Sequence, residues 1–228
     1  MIDRNASKVN ESPNQEIKAW ALSAQTQRNL TLAVILLATL NALLWSIVRL
    51  PGLGGPDESE HFRIVQQMIT NGGLPIFEGY GPGRFAGGPV RAQVAHEITP
   101  NMFSVVVAQI LNLVGSASND LNFHIARLFN VALYPVTLWI AFLTLRRVFT
   151  HIPVAPIWGV VVMATIPMFT LVHSYYTNDT PAIAAGTFAV YATVRVSQSD
   201  FARRDVAMLG IALGLVALHK YTGFLIFP

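Results

Sequence analysis

The sequence predicts an all-α fold, a polytopic bundle of transmembrane helices with surface helices in its first outer loop, on three observations. Apolar residues make up 53% of the chain and charged residues 12%, about half the charged fraction of a typical soluble domain. The apolar residues are gathered into runs close to the roughly 20 residues that cross a bilayer. Arginines cluster between these runs, as residues that set membrane orientation do. An ordinary soluble domain is therefore excluded, and a nucleic-acid partner is not expected.

The chain divides into a polar tail and one transmembrane region. Residues 1–28 carry charges of both signs and are expected to form a cytoplasmic tail, and residues 29–228 form the bundle. The five predicted spans are about 30–50, 128–145, 154–172, 181–194 and 206–227. The stretch 51–127 is the predicted outer loop, with surface or re-entrant helices. Because the sequence stops at the last span, we expect an N-terminal fragment of a larger bundle.

The short apolar run at 102–115 decides the orientation. If it stays on the surface and the N-terminus is cytoplasmic, the arginine clusters at 146–147 and 195–204 both lie inside, as the positive-inside rule requires. If it crosses, both clusters lie outside. We therefore predict a surface or re-entrant helix there. The outer face then carries an acidic cluster at 57–60 and polar sites at 178–179 and 219–221.

Three acidic residues and a histidine occupy the five positions from Asp57 to His61, directly after the first span. Asp57 and Glu60 have the spacing of a capping box, and the apolar residues that follow recur at helical spacing. Capping needs one acid, whereas this site has three. Asp57 could act as a general base toward an acceptor hydroxyl or amine, and Glu58 could hold a divalent cation or raise the pKa of that base. Both interpretations stay open on spacing alone.

Other polar residues near the predicted outer face have a structural and a functional interpretation each. His96 and Glu97 form a polar turn or face the same pocket as the acids. Asn178 and Asp179 open the fourth span, where Asp179 or Thr180 could cap the helix. The remaining candidates are basic or aromatic residues that either anchor the chain at the interface or bind a lipid-linked phosphate. These candidates are Lys220, Tyr221 and Arg84.

Four elements in order resemble the GT-C membrane glycosyltransferases, in particular the family 39, protein-mannosyltransferase-like group and its bacterial relatives. The first element is Pro56-Asp57-Glu58 with His61-Phe62, and the second is His96-Glu97 with Pro100. The third is Asn178-Asp179, and the fourth is His219-Lys220-Tyr221-Thr222. The sequence departs from the group in Thr99-Pro100-Asn101, where relatives often have paired prolines, in His219, which replaces the usual Thr, and in its length.

The resemblance implies transfer of a sugar from a polyprenyl-phosphate carrier to a glycan, lipid or protein acceptor in the cell envelope. Asp57 and Glu58 would be the catalytic residues, with Asp57 as the base and with Glu58 and His61 shaping the acceptor site. Asn178 and Asp179 would complete the polar pocket, with a divalent cation left open and no other cofactor expected. Lys220 would neutralise the carrier phosphate. Family likeness also implies the bacterial inner (plasma) membrane, with the active face outward.

Two other functions are compatible with the sequence. A transporter subunit would carry ionisable groups at mid-membrane depth, whereas most polar residues here lie at span ends. An inactive truncated membrane protein is the other alternative, because the chain stops at a span.

Overall fold

The computed structural model describes residues 23–49, 55, 57–70, 102–114 and 118–219. Within these residues the chain forms helices and turns and contains no strand, which confirms the predicted all-α class. The helices are α1 Ala24–Leu44 with a π-helical turn at Trp45–Arg49, α2 Glu58–Thr70, α3 Met102–Val114, α4 Asn119–Val148, α5 Ala155–Thr165, α6 Pro167–Val172, α7 Asp179–Gln198 and α8 Arg203–His219. The predicted residues Arg84, His96, Glu97, Lys220 and Tyr221 lie outside the described ranges.

Two helices are long and apolar enough to cross a membrane among the residues described, at 24–48 and 119–148. They pack against each other in opposite directions, with a buried core between α1, α4 and α5. The second of these helices begins at Asn119 and not near residue 128, where the apolar run begins. Its added first turns bury Phe123 and Ala126, so their partners lie within the protein.

The structure divides the predicted span at 154–172 into two helices, α5 and α6. Ile166 has φ −70° and ψ 113°, an extended conformation between the two helices. The cause is Pro167, which disfavours the helical conformation in the residue before it and has no N–H to continue the hydrogen-bond ladder. The break lies beside Tyr134, whose hydroxyl bonds with that of Thr170 over 3.0 Å.

Helices α7 and α8 form an alanine-rich pair. Their shared core consists of Ala185, Ala189, Ala192, Ala212 and Val216. Small side chains let two helix backbones approach closely, which is the usual way that helices associate within a bilayer. Helix α7 also packs along α4. The bundle is therefore built on α4, with α1 and α5 on one side and α7 and α8 on the other.

The short helices α2 and α3 pack together against the beginning of α4. The apolar residues after residue 58 recur at helical spacing, and the structure forms a helix there that buries Phe62, Val65 and Met68 and leaves Ile69 half-buried. Helix α3 spans 13 residues, too few to cross a bilayer at 1.5 Å per residue. Both helices thus lie at the end of the bundle where α4 begins, which we call the Glu58 end.

Candidate active site

Glu58 is the centre of the Glu58 end, and its side chain is fully buried. Its Oε1 accepts hydrogen bonds from Arg127 Nε and from the Tyr176 backbone N–H, both at 2.7 Å. Its Oε2 accepts from Arg127 Nη2 at 2.7 Å and from the Gly55 backbone N–H at 3.1 Å. A carboxylate with four donors is fully satisfied. This geometry favours a structural role for Glu58 over the predicted catalytic one.

Arg127 completes the buried ion pair from helix α4. Its two parallel bonds to Glu58 form the bidentate arrangement that favours arginine over lysine. A third bond, 2.8 Å long, runs from Nη1 to the backbone carbonyl of Ser46 in the π-helical turn. The guanidinium also lies 4.3 Å from the centre of the Phe123 ring. Arg127 therefore fixes the ends of α1 and α4 to the loop that carries the acids.

Asn130, one turn further along α4, holds the segment between α6 and α7. Its Nδ2 donates to the carbonyls of Tyr175 and Thr177 at 2.7 and 3.0 Å, and it lies 3.1 Å from the hydroxyl of Thr180. The Thr180 hydroxyl donates in turn to the carbonyl of Val172 at 2.8 Å. All of these polar groups are removed from water, where satisfied bonds count most. The 173–178 segment is therefore fixed to α4 by side chains within the protein.

Tyr176 connects this segment to the surface helices. Its ring stacks on Phe103 with 6.0 Å between centroids and meets Phe62 edge-on at 6.4 Å. Its hydroxyl donates to Ser104 at 3.0 Å. Burial raises the pKa of the Tyr176 phenol, so it stays protonated. The 173–178 segment and helices α2 and α3 consequently form one packed unit around Glu58.

Asp57 differs from its neighbour because its side chain is exposed. Its carboxylate makes no hydrogen bond or ion pair with any described residue. Its backbone carbonyl, and not its side chain, accepts from the N–H groups of Glu60 and His61, each at 3.1 Å. The Glu60 carboxylate instead pairs with Arg63 at 2.6 Å. The spacing suggested a capping box, and the structure does not form one.

The backbone of Asp57 has φ 56°, in the left-handed region. A residue other than glycine held there costs on the order of 1–3 kcal/mol, and such residues concentrate at functional sites. Aspartate is among the residues that tolerate this conformation best. Because the strained turn is held on one side by buried Glu58, the backbone that carries the exposed carboxylate is ordered.

Three acids of the site, Asp57, Glu58 and Asp179, lie close enough to Tyr175 to act on its phenol. Burial, and after it the charges of Asp179, Glu58 and Asp57, raise the pKa of its phenol, which therefore stays neutral. Tyr175 is 4% exposed. A Cβ on Gly55 would overlap the tyrosine ring, so only glycine permits this close approach. Asp57 and Asp179, far apart in sequence, thus lie near the same aromatic side chain.

The structure brings five of the predicted site residues to the Glu58 end. These are Asp57, Glu58, His61, Asn178 and Asp179, of which His61 is buried and the last two are half-buried. The cap of α7 differs from the prediction, because the Thr177 hydroxyl accepts from the Asp179 N–H at 3.2 Å and Thr180 bonds elsewhere. His219 precedes the undescribed Lys220 and meets Phe103 edge-on at 6.3 Å. The roles of all these residues stay predictions.

Sequence reasoning missed Arg127 and Asn130, which organise the site. The second predicted span begins at about residue 128, so Arg127 falls in the predicted outer loop. A usable signal was present: the run from Phe123 to Leu133 is apolar except for a few polar residues. A charge within such a run is almost always paired. An acid partner could therefore have been expected.

The residues described contain no group of three or more histidines, cysteines, aspartates or glutamates arranged to hold a metal ion. His96 and Glu97 lie outside the described residues. The prediction of a divalent cation consequently remains untested at this site.

Comparison with known proteins identifies the family. The family model described as dolichyl-phosphate-mannose-protein mannosyltransferase matches residues 99–228, more than half of the chain. Neither curated proteins nor solved structures give a match. The matched region contains Arg127, Asn130 and Asp179, and apolar helices long enough to cross a membrane agree with an integral membrane protein. The chain belongs to the dolichyl-phosphate-mannose-protein mannosyltransferase family, and it is a membrane glycosyltransferase of the GT-C type.

Proposed function

We propose that this protein transfers a sugar from a polyprenyl-phosphate carrier to an acceptor hydroxyl or amine at the Glu58 end of the bundle. The family description names a dolichyl-phosphate-linked sugar, which supports a polyprenyl-phosphate donor. The observation that carries the proposal is the exposed Asp57 carboxylate, held in a strained turn beside the buried Glu58–Arg127 pair. A base must be accessible and must be carried on an ordered backbone, and Asp57 meets both conditions.

The reaction assigns Asp57 one proton. Its carboxylate removes the proton from the acceptor, and the acceptor atom forms a bond to the anomeric carbon of the sugar. The bond from that carbon to the phosphate oxygen breaks, and its electron pair leaves with the polyprenyl phosphate. Negative charge develops on the leaving phosphate, so a cation directed at it stabilises the transition state. We assign that part to Lys220, with Tyr221 and Arg84 as further phosphate-binding candidates.

The remaining site residues have supporting parts in this proposal. We assign Asn178 and Asp179 to the polar pocket around Asp57, and His61, His96 and Glu97 to the binding of the acceptor. Glu58 and Arg127 act as positioning residues, because they hold the Asp57 turn in place. The carboxylate of Glu58 already accepts four hydrogen bonds, so it is not the proton acceptor. A divalent cation bound by Asp179 remains part of the proposal.

Orientation and location complete the proposal. The arginines of α4, α7 and α8 lie at the end opposite Glu58, and by the positive-inside rule this supports an outer Glu58 end and a cytoplasmic N-terminus. Family likeness supports the bacterial inner membrane and an acceptor glycan, lipid or protein of the cell envelope.

Replacing Asp57 by asparagine tests the proposal. Asparagine tolerates the left-handed backbone and keeps the side-chain volume, so only the proton acceptor is lost. With the change made at the native gene locus, we expect sugar transfer from the polyprenyl-phosphate donor in isolated membranes to fall by about 10²–10⁴-fold. The measurement is incorporation of labelled sugar into the lipid-free or lipid-linked acceptor fraction at equal protein abundance.

Glu60→Gln is the matched control, because Glu60 lies on the same turn and its carboxylate contacts Arg63. That variant should retain transfer close to the unaltered level. Equal losses in the two variants would indicate that the charge of the whole cluster matters and not a base at Asp57. Full activity of Asp57→Asn would refute the proposed role.

A further inference from the structure

The end of the bundle opposite Glu58 has a strong excess of positive charge. We call it the arginine end, defined by Arg146 and Arg147 at the end of α4, Arg195 at the end of α7, and Arg203 and Arg204 at the start of α8. The acids near these five arginines are Asp200 and Asp205. Arg146, Arg203 and Arg204 are exposed. Most of this charge is therefore open to the surroundings.

The arginines from different helices meet around one aromatic ring. The guanidinium carbons of Arg147 and Arg195 lie 5.6 and 5.9 Å from the centre of the Tyr191 ring. Arg147 donates a bond, 3.2 Å long, to Gln198, and the Gln198 amide donates back to the Arg147 carbonyl at 3.0 Å. These contacts tie the ends of α4 and α7 together, and they engage only part of the five-donor guanidinium of Arg147.

The start of α8 adds two more cations with little internal pairing. Arg204 approaches Asp205 only to 4.0 Å and its side chain is 82% exposed. The guanidinium of Arg203 makes no ion pair with the described residues. Asp205 is engaged by Arg195 at 2.8 Å, which leaves it little capacity to neutralise either neighbour. The arginine end therefore offers several donors that are not engaged within the described residues to an external anion.

The turn between α7 and α8 places an aromatic side chain beside this charge. Ala202 N–H donates to the Ser199 carbonyl at 3.2 Å, and the two residues between them, Asp200 and Phe201, have φ 49° and 59°. Positive φ at both central positions is the type I′ pattern, which favours glycine at the second position. Phe201 occupies that position and is 72% exposed. We therefore expect this strained, exposed aromatic residue to contact a partner outside the described residues.

We propose that the arginine end is a binding site for the headgroup of an anionic phospholipid, with the Phe201 ring inserted at the acyl boundary. Arg147, Arg203 and Arg204 donate to the phosphate, and the 199–202 turn rests on the lipid. This site is separate from the sugar-transfer site, and it lies at the opposite end of the same helices.

Membrane depth favours a lipid over a soluble anion. Helices α4, α7 and α8 all end or begin here, so their arginines lie at the level of the headgroups. Exposed apolar side chains, Val148, Phe149 and Val206, flank the arginines. Free phosphate would contact only the guanidiniums, whereas a phospholipid also covers the apolar side chains. Each basic residue near an anionic membrane surface strengthens binding on the order of fivefold.

A lipid titration of the purified chain tests the proposal. In a neutral detergent, dioleoyl phosphatidylglycerol, dioleoyl phosphatidylcholine or inorganic phosphate is added, and the thermal unfolding midpoint and the retained lipid in native mass spectra are measured. We expect phosphatidylglycerol to raise the midpoint and remain bound, because a ligand of the native state stabilises it. Equal effects of phosphatidylcholine, or an equal effect of inorganic phosphate, would overturn the anionic-lipid site.

Single substitutions locate the site. Arg203→Gln and Arg204→Gln should each weaken phosphatidylglycerol binding by about fivefold. Arg28→Gln is the matched control, because Arg28 is exposed at the start of α1, at the same end of the bundle, on a helix that packs against α4 and α5. If Arg28→Gln weakens binding as much as the other two, the attraction is diffuse and the site does not exist.

Phe201→Gly separates insertion from charge. Glycine adopts positive φ without strain, so we expect the lipid-free midpoint to rise while the affinity for phosphatidylglycerol falls. Unchanged affinity would show that the ring is not inserted and would limit the site to the arginines.

Discussion

The two ends of the bundle handle charge in opposite ways. At the Glu58 end a glutamate and an arginine are fully buried and are paired with each other and with backbone groups. At the arginine end, Arg203 and Arg204 are exposed and only loosely paired with the described residues. Both ends contain tight turns with left-handed residues other than glycine, Asp57 at one and Asp200 with Phe201 at the other. The turns are thus similar while their supports differ.

The difference between the two ends shows which role a buried charge and an exposed charge can have. A buried charge must be paired and hydrogen-bonded, so it orders the segments that supply its partners. Glu58 gathers the Gly55 turn, α4 and the 173–178 segment in this way, and Asp57 is left exposed on an ordered support. An exposed charge organises little within the chain and remains available to a ligand. The Glu58 end is therefore suited to fixed geometry, and the arginine end to reversible contact with lipid.

The largest effect is expected from Arg127→Met, which breaks the buried pair. It leaves the Glu58 carboxylate without its main partner in a low-dielectric site, and removal of one member of a buried pair costs about 3–5 kcal/mol. The matched change Arg203→Met, at the exposed end, should alter stability by about 0–1 kcal/mol. The free energy of unfolding, measured by denaturant titration in detergent, provides the comparison.

A second result would sharpen this contrast. Glu58→Met combined with Arg127→Met should be less destabilising than the sum of the two single changes, since the double variant leaves no unpaired buried charge. Additive losses would mean that the two side chains act independently. Loss of stability in Arg203→Met as large as in Arg127→Met would remove the distinction between the two ends.

A smaller effect is expected from Asn130→Ala. The change leaves the buried carbonyls of Tyr175 and Thr177 without their donor, and an unsatisfied buried group costs about 1–3 kcal/mol. Hydrogen exchange should increase first in the 173–178 segment. Asn119→Ala, at an exposed position on the same helix, is the control and should leave exchange there unchanged. Faster exchange in both variants would show that α4 as a whole had loosened.

Sequence periodicity predicted the parts of the fold that depend on local pattern. The all-α class and the helical spacing of α2 follow from the apolar pattern alone, and the structure adds that Phe62, Val65 and Met68 on this helix are buried. Hydropathy did not locate the beginning of α4, because its first turns are largely polar in sequence, although Phe123 and Ala126 there are buried. Because Arg127 lies just before residue 128, its place within α4 could not be predicted either.

Residue spacing also could not separate the roles of Asp57 and Glu58. The two are adjacent acids with equal claims to function, and only the tertiary partners distinguish them. Arg127 lies 69 positions from Glu58 and Tyr176 lies 118 positions away. Contacts at such separations leave no local pattern. The acidic cluster was therefore visible in the sequence, whereas the exposed and the anchoring carboxylate could be assigned only from the folded chain.

The smallest effect is expected from Asp205→Asn at the arginine end. The Ser199 hydroxyl, and after it the guanidiniums of Arg195 and Arg204, hold the pKa of Asp205 below its usual range. A carboxylate with a lowered folded-state pKa stabilises the protein above its ordinary pKa, and the contribution is lost as pH falls through the lowered value. We expect a modest lowering of the unfolding midpoint at pH 7, less than that of Asn130→Ala. The difference in unfolding midpoint between Asp205→Asn and the unaltered protein should shrink in high salt, because the arginine partners of Asp205 are near the surface. The same difference should vanish at pH values below the folded-state pKa of Asp205. A difference that persists in both conditions would show that Asp205 stabilises α8 by packing, and the arginine end would then resemble the Glu58 end more than its exposure indicates.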